Sequence, residues 1–174
     1  MGHDYWMYRG DEAYMKTLLP AYRQVLSWYE QWLKPDYSLS YVPHWFFVDW
    51  AAGFDYGEPI REKEGNSALQ DLMYIMTLEF AAEMEQAIGL PAMADHYRKI
   101  ATEMRKTIRP KYWDAARNLF ADTQDHRSYS QHVNALAILT GVTKGEEAVK
   151  VMNQTLADTS LILSLIHISE PTRL

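Results

Sequence analysis

The stretch from Ser67 to Pro110 constrains the fold most. Leu69, Leu72, Met73, Met76, Phe80, Met84 and Ile88 recur at three- and four-residue spacing, the signature of a helix with one apolar stripe. Asn66 or Ser67 is placed to cap it, and Gly89 supplies its stop. Pro91 then opens a second helix, in which Ala94, Tyr97, Ile100, Ala101, Met104 and Ile108 turn inward and Arg109-Pro110 closes. Two such helices across so short a joint form a long antiparallel αα-hairpin. A chain organised round that unit is expected to be all-α.

The flanking segments extend the pattern. Gly10-Asp11 opens an earlier helix with Asp11, Glu12 and Ala13 in its first turn, where acidic residues suit the helix dipole. Pro20 is expected to break that helix or to start the next segment. Val25, Leu26, Tyr29, Trp32 and Leu33 keep helical spacing until Lys34-Pro35-Asp36. KYWDAARNLFADT, 111 to 123, alternates weakly and reads as a small β-hairpin or extended loop. SQHVNALAILTG, 130 to 141, is a short apolar helix ending at Gly141. Thr143 and Glu146 have capping-box spacing for a last helix to about Asp158. Residues 36 to 65 are irregular and too long for a simple connector, and long ordered loops tend to carry function. In a toroid of paired helices, such loops gather at one end. The 69–108 hairpin also looks like a tetratricopeptide unit, but no second copy follows at about 34 residues.

That loop contains WFFVDW, residues 45 to 50, with Asp49 set among four rings and a valine. The stretch has no polar face, so it is no amphipathic helix; a short buried strand or a wall segment fits. In one reading Asp49 pins a loop while the rings fill a core. In the other, Trp45 and Trp50 wall a sugar pocket and Asp49 accepts hydrogen bonds from hydroxyls. His132, near the start of the short inner helix, either points into that pocket or is a satisfied core histidine. Asp55, Glu58, Glu62 and Glu64 lack EF-hand spacing and read as a solvated loop; no metal or other cofactor is expected. His96 falls off the apolar stripe, and Asp125-His126-Arg127 reads as a turn.

Composition narrows the function. The 174 residues carry a net charge of −6 with 17 basic side chains and no basic stripe, so nucleic acid is not an expected partner. Six Trp, 12 Tyr and 5 Phe are a high aromatic load; most such rings are core, but the load is also what a carbohydrate-handling protein tends to show. There is no cysteine, so no disulfide. MGHDYWMYRG lacks the apolar core of a signal peptide and reads like the middle of a protein. TSLILSLI, 159 to 166, is too short to span a bilayer, and no membrane partner is expected.

Three stretches together resemble one family. HDYWMYRGDEAYMKTLLPAYRQVLSWYEQWL (3 to 33) resembles a helix pair of the α-L-rhamnosidases of glycoside hydrolase family 78. WFFVDW resembles that family's Asp-Trp segment, and SQHVNALAILTG its short inner helix. The resemblance implies an (α/α) six-hairpin toroid, roughly half present, and a carbohydrate substrate containing rhamnose. It also implies an inverting hydrolase releasing terminal L-rhamnose, with a catalytic acid and base about 6.5–9.5 Å apart. Family position puts the general acid upstream of this chain and the general base downstream, so no catalytic residue is assigned and the fragment alone is expected to be inactive. Asp49, Trp50, Trp45 and His132 are the substrate-contact candidates. The family is often secreted or periplasmic. A trehalase- or glucoamylase-like toroid, and a non-catalytic helical-repeat scaffold, remain alternatives.

LSLIHISEPTR, Leu163 to Arg173, matches translated read-through of a transposase adaptor used in DNA library preparation. Residues 1–162 are therefore expected to be a partial catalytic domain, and 163–174 a non-native tail.

Overall fold

The computed structural model describes residues 2–63, 65 and 67–164. Among them are six helices and one small β-hairpin: α1 (Gly2–Arg9), α2 (Glu12–Glu30), α3 (Ala68–Ile88), α4 (Pro91–Tyr112), β1 (Trp113–Asp114), β2 (Leu119–Phe120), α5 (Gln131–Leu139) and α6 (Gly145–Ala157). The all-α expectation holds, as does the hairpin near 111–123, in which Trp113 pairs with Phe120 and Asp114 with Leu119.

The α3/α4 pair is the centre. Every residue expected inward on α4 is buried. On α3 the single-stripe expectation is too narrow. Leu69, Leu72, Ile75, Leu78 and Ala82 are wholly buried, whereas Met73, Met76 and Phe80 are only partly so. The reason is position: α3 is packed by α4, by α5 and by α2, so it buries more than one face. Met15 and Leu19 of α2 meet Met84 and Ile88 at the far end of α3 in a cluster of their own.

Both prolines expected to end helices lie inside them. Pro20 is within α2 and Pro110 within α4. Pro20 is exposed, so water can satisfy the carbonyl its missing N–H leaves without a donor. The side chain of Asp11 caps α2 by accepting from Tyr14 N–H at 3.0 Å. Ser67 holds the N-cap position of α3 without a side-chain bond, and Asn66 lies outside the described residues. The Thr143–Glu146 capping box does not form: Lys144 is the N-cap of α6, and the Thr143 hydroxyl donates to Glu147 at 2.8 Å. Glu147 is held there by Arg109, which reaches both its oxygens at 2.7 Å.

The hairpin decides where the loops go. Gly89 and Leu90 close α3 onto α4 at one end. The other end receives the long segment entering α3 and the β-hairpin segment leaving α4. There Ala68 N–H donates to Asp122 O at 2.9 Å, and Gln124 N–H donates to Glu62. The loops thus gather at one end, as a toroid of hairpins requires. Buried Asp71 of α3 fixes the start of the long segment: it accepts from Leu39 N–H at 2.8 Å and from the Tyr112 hydroxyl at 3.0 Å.

Candidate carbohydrate-binding site

Two of the four sequence candidates meet directly. His132 Nε2 lies 2.9 Å from Asp49 Oδ2, although 83 positions separate them. Asp49 comes from the long segment. His132 comes from the first turn of α5, whose start is pinned by a buried polar clamp. Asp122 accepts from the hydroxyls of Ser128 and Ser130, each at 2.6 Å. Ser130 is also the N-cap, accepting from Val133 N–H at 3.3 Å. Asn134 exchanges two bonds with the Phe120 backbone, N–H to Oδ1 at 2.8 Å and Nδ2 to O at 3.0 Å. The clamp sets the direction in which His132 leaves the helix. Burial pushes the Asp122 carboxyl upward, against the pull of the two serines.

The Asp49–His132 pair is mostly covered, at 21% and 15% side-chain exposure. Phe54 packs on the imidazole at 5.2 Å. Asp49 sits below the usual carboxylate range, held there first by a hydrogen bond from the Ser164 hydroxyl and then by His132. A carboxylate only accepts. With Nε2–H given to Oδ2, the imidazole Nδ1 is left as a buried atom without a partner. His132 also lines an apolar cavity of about 350 Å³ with Met152, Thr155 and Leu156 of α6. Asp49 is therefore an acceptor oriented by His132, and Ser164→Ala is expected to raise its pKa toward the ordinary value. Carboxyl NMR titration of both forms checks this; an unmoved Asp49 titration would mean the serine contributes nothing.

The rings are arranged otherwise than expected. WFFVDW is neither strand nor core. Trp45, Phe47 and Trp50 are 65%, 41% and 58% exposed, while Val48 packs against the main core. The core-filling reading fails at these three. Exposure alternates only over 45–48, with 45 and 47 outward and 46 and 48 inward, and Trp50 is outward too. Glu58 fixes the register by accepting from Phe46 N–H at 2.6 Å, so it is not a solvated loop residue. His96 is exposed, as expected off the apolar stripe, and bonded to Glu30 at 3.0 Å. Arg127 pairs with Asp125 at 3.2 Å in the expected turn. Glu64 lies outside the described residues. Phe47, Phe54, Asp122 and Ser164 were not anticipated. Only Asp122 had a local signal, its place just ahead of the Ser-Gln-His helix start.

The bacterial α-L-rhamnosidase six-hairpin glycosidase domain model matches residues 1–161. The chain belongs to this family. Two solved structures are similar in fold. One is a family 78 rhamnosidase of Bacillus sp. GL1, with TM-score 0.78 and 23% identity over 93% of this chain and 17% of that one. The other is a rhamnosidase from Klebsiella oxytoca with rhamnose bound, with TM-score 0.77 and 16% identity over 94% of this chain and 30% of that one. This rhamnosidase-like chain thus spans less than a third of either structure. No curated protein matches it.

Proposed function

We propose that this chain is part of the catalytic domain of an inverting α-L-rhamnosidase and supplies one wall of its sugar site. The observation that carries the proposal is the Asp49–His132 contact beside exposed Trp50. Asp49 accepts hydrogen bonds from neighbouring sugar hydroxyls, His132 holds its carboxylate in place, and Trp50 covers an apolar sugar face. Residues 163–174 are read as adaptor-derived. The proton-handling carboxylates belong to other segments of the parent, so the chain binds sugar without cleaving it.

The test is calorimetric titration of the chain, trimmed after Ile162, with methyl α-L-rhamnoside and methyl α-glucoside. Rhamnoside-selective binding that falls at least tenfold in Asp49→Asn, with an unchanged helical spectrum, is the expected result. Binding of neither sugar, or hydrolysis by the chain alone, overturns the reading. A glucoside preference favours a different toroid glycosidase.

A further inference from the structure

The short helix α1 lies in a groove between α2 and α3, and the groove runs on past its first residue. Trp6 packs against the cluster of Met15, Leu19, Met84 and Ile88. Nearer the helix start, His3 stacks on the Phe80 ring at 4.2 Å, and its Nε2 lies 2.8 Å from Glu83. Gly2 approaches Tyr22 so closely that a Cβ would fall 2.2 Å from the tyrosine hydroxyl. From Trp6 back to Gly2, the contacts thus climb α2 from Met15 to Tyr22 and descend α3 from Ile88 to Phe80. α1 is antiparallel to α2 and parallel to α3.

The next residues on both helices line open space. A cavity of about 400 Å³ begins at Gly2 and His3 and is walled by Val25 and Leu26 of α2 and by Met76, Thr77 and Phe80 of α3. A second cavity, of about 130 Å³, shares Val25, Leu26 and Thr77 with the first. It continues to Tyr29 on α2 and to Met73 and Gln70 on α3. Extrapolating the α1 contacts upstream meets these residues in this order. Val25, in both walls, is 55% exposed. At the far end Gln70 is only 2% exposed, yet neither its Oε1 nor its Nε2 has a partner. A buried carboxamide left unpaired is costly, so its position points to a polar group brought to it. Phe46, from the segment that carries Asp49, closes that end.

What already lies in the groove selects its occupant. The walls are side chains of two helices and offer no backbone edge to pair a strand, whereas a helix satisfies its own backbone. A helix entering α1 from upstream keeps the same register against both walls. We propose that the groove seats a helix collinear with α1, the stretch of polypeptide that leads into it. That helix places apolar residues at three- and four-residue spacing against Val25, Met76 and Met73, and a polar side chain against Gln70. Phe80 and Gln70 are ten positions apart on α3, about 15 Å of helix rise, so the seat holds about three turns. Its upstream end emerges beside Phe46, at the end of the hairpins where the long loops gather. The inference stands whether or not Asp49 contacts a sugar.

The test fuses a designed helix of about eleven residues ahead of Gly2. One extension carries Leu on the groove face, Gln level with Gln70, and Glu and Lys elsewhere. A control extension holds the same residues shuffled, so that its Leu residues share no face. The patterned extension is expected to raise the thermal midpoint by at least about 5 °C and to shift the methyl NMR signals of Val25, Met73 and Met76; the shuffled one is expected to do neither. Val25→Glu, at an exposed position, is expected to cancel the gain while leaving the unextended chain folded. Leu in place of the designed Gln is expected to shrink the gain in wild type and not in Gln70→Leu; no shrinkage overturns the polar contact assigned to Gln70. No gain, equal gains from both extensions, or a gain that survives Val25→Glu overturns the seat. An unextended chain that sediments as a dimer, and as a monomer in Val25→Glu, gives the groove to a second copy and overturns it as well.

Discussion

Glu85→Ala is expected to lower stability by about 3–5 kcal/mol, the usual cost of breaking a buried ion pair from one side. Glu85 is only 2% exposed and accepts from Arg23 Nε and Nη2, each at 2.7 Å. It also accepts from Leu90 N–H at 2.8 Å, which closes the α3/α4 turn. Its carboxylate leaves no room for a side chain at Gly89, where a Cβ would lie 2.1 Å from Oε2. One residue thus joins α2 to α3 and seals the turn of the central hairpin. Removing it strands the Arg23 charge and the Leu90 donor together. For a chain of this length the midpoint should drop by on the order of 10 °C. Arg23→Ala is expected to cost less, because its side chain is 27% exposed and the Leu90 bond remains. A double-mutant cycle by thermal and urea unfolding measures the coupling. A Glu85→Ala loss under about 1 kcal/mol would show that the pair is effectively solvated.

That pair also marks how far the sequence could be read. The α4 stripe from Ala94 to Ile108 was legible because one face of that helix meets the core and the period is carried by apolar residues. The second and third buried faces of α3 were not, because alternation cannot say how many neighbours a helix has. Glu85 sits on such a face, where a carboxylate looks like an ordinary surface residue. Pro20 and Pro110 misled for the converse reason: propensity is local, and packing of the rest of the helix overrode it.

The site shows the same division. Asp49 stood out because a charge among rings is costly without a partner. The partner lies 83 residues away, a distance no local pattern crosses. Which rings face outward depended on the anchoring of the loop by Glu58 and Gly57, and neither anchor has a sequence signature of its own. Excluding the segment after Ile162 from fold reasoning also hid the Ser164 contact.

The loop that carries Asp49 should loosen as pH rises through neutrality. Burial of Asp71 pushes its carboxyl up to about 7, against the pull of Leu39 N–H, the Tyr112 hydroxyl, and the charges of Lys111 and Lys34. Unfolded, the same group titrates near about 3.9. Between these values the folded chain holds a proton that the unfolded chain has lost, so stability falls as pH rises from about 4 to about 7. The loss attributable to this group is on the order of a few kcal/mol, complete above its folded pKa. The sign is opposite to that of part-buried ion-paired acids such as Asp158, held down to about 2 by Ser160 and Arg117, whose contribution is lost on acidification. Asp71→Asn separates the two. The amide keeps an acceptor for Leu39 N–H and meets the Tyr112 oxygen with a donor, and it does not titrate. Wild type and variant should have similar stability near pH 4, and the variant should be the more stable at pH 8. Urea unfolding across that range reads the difference, and parallel profiles would show that Asp71 keeps the same charge in both states. Because Asp71 bonds Leu39, where the long segment begins, amide exchange in the 36–50 region should speed up with pH beyond its intrinsic dependence in wild type and not in Asp71→Asn.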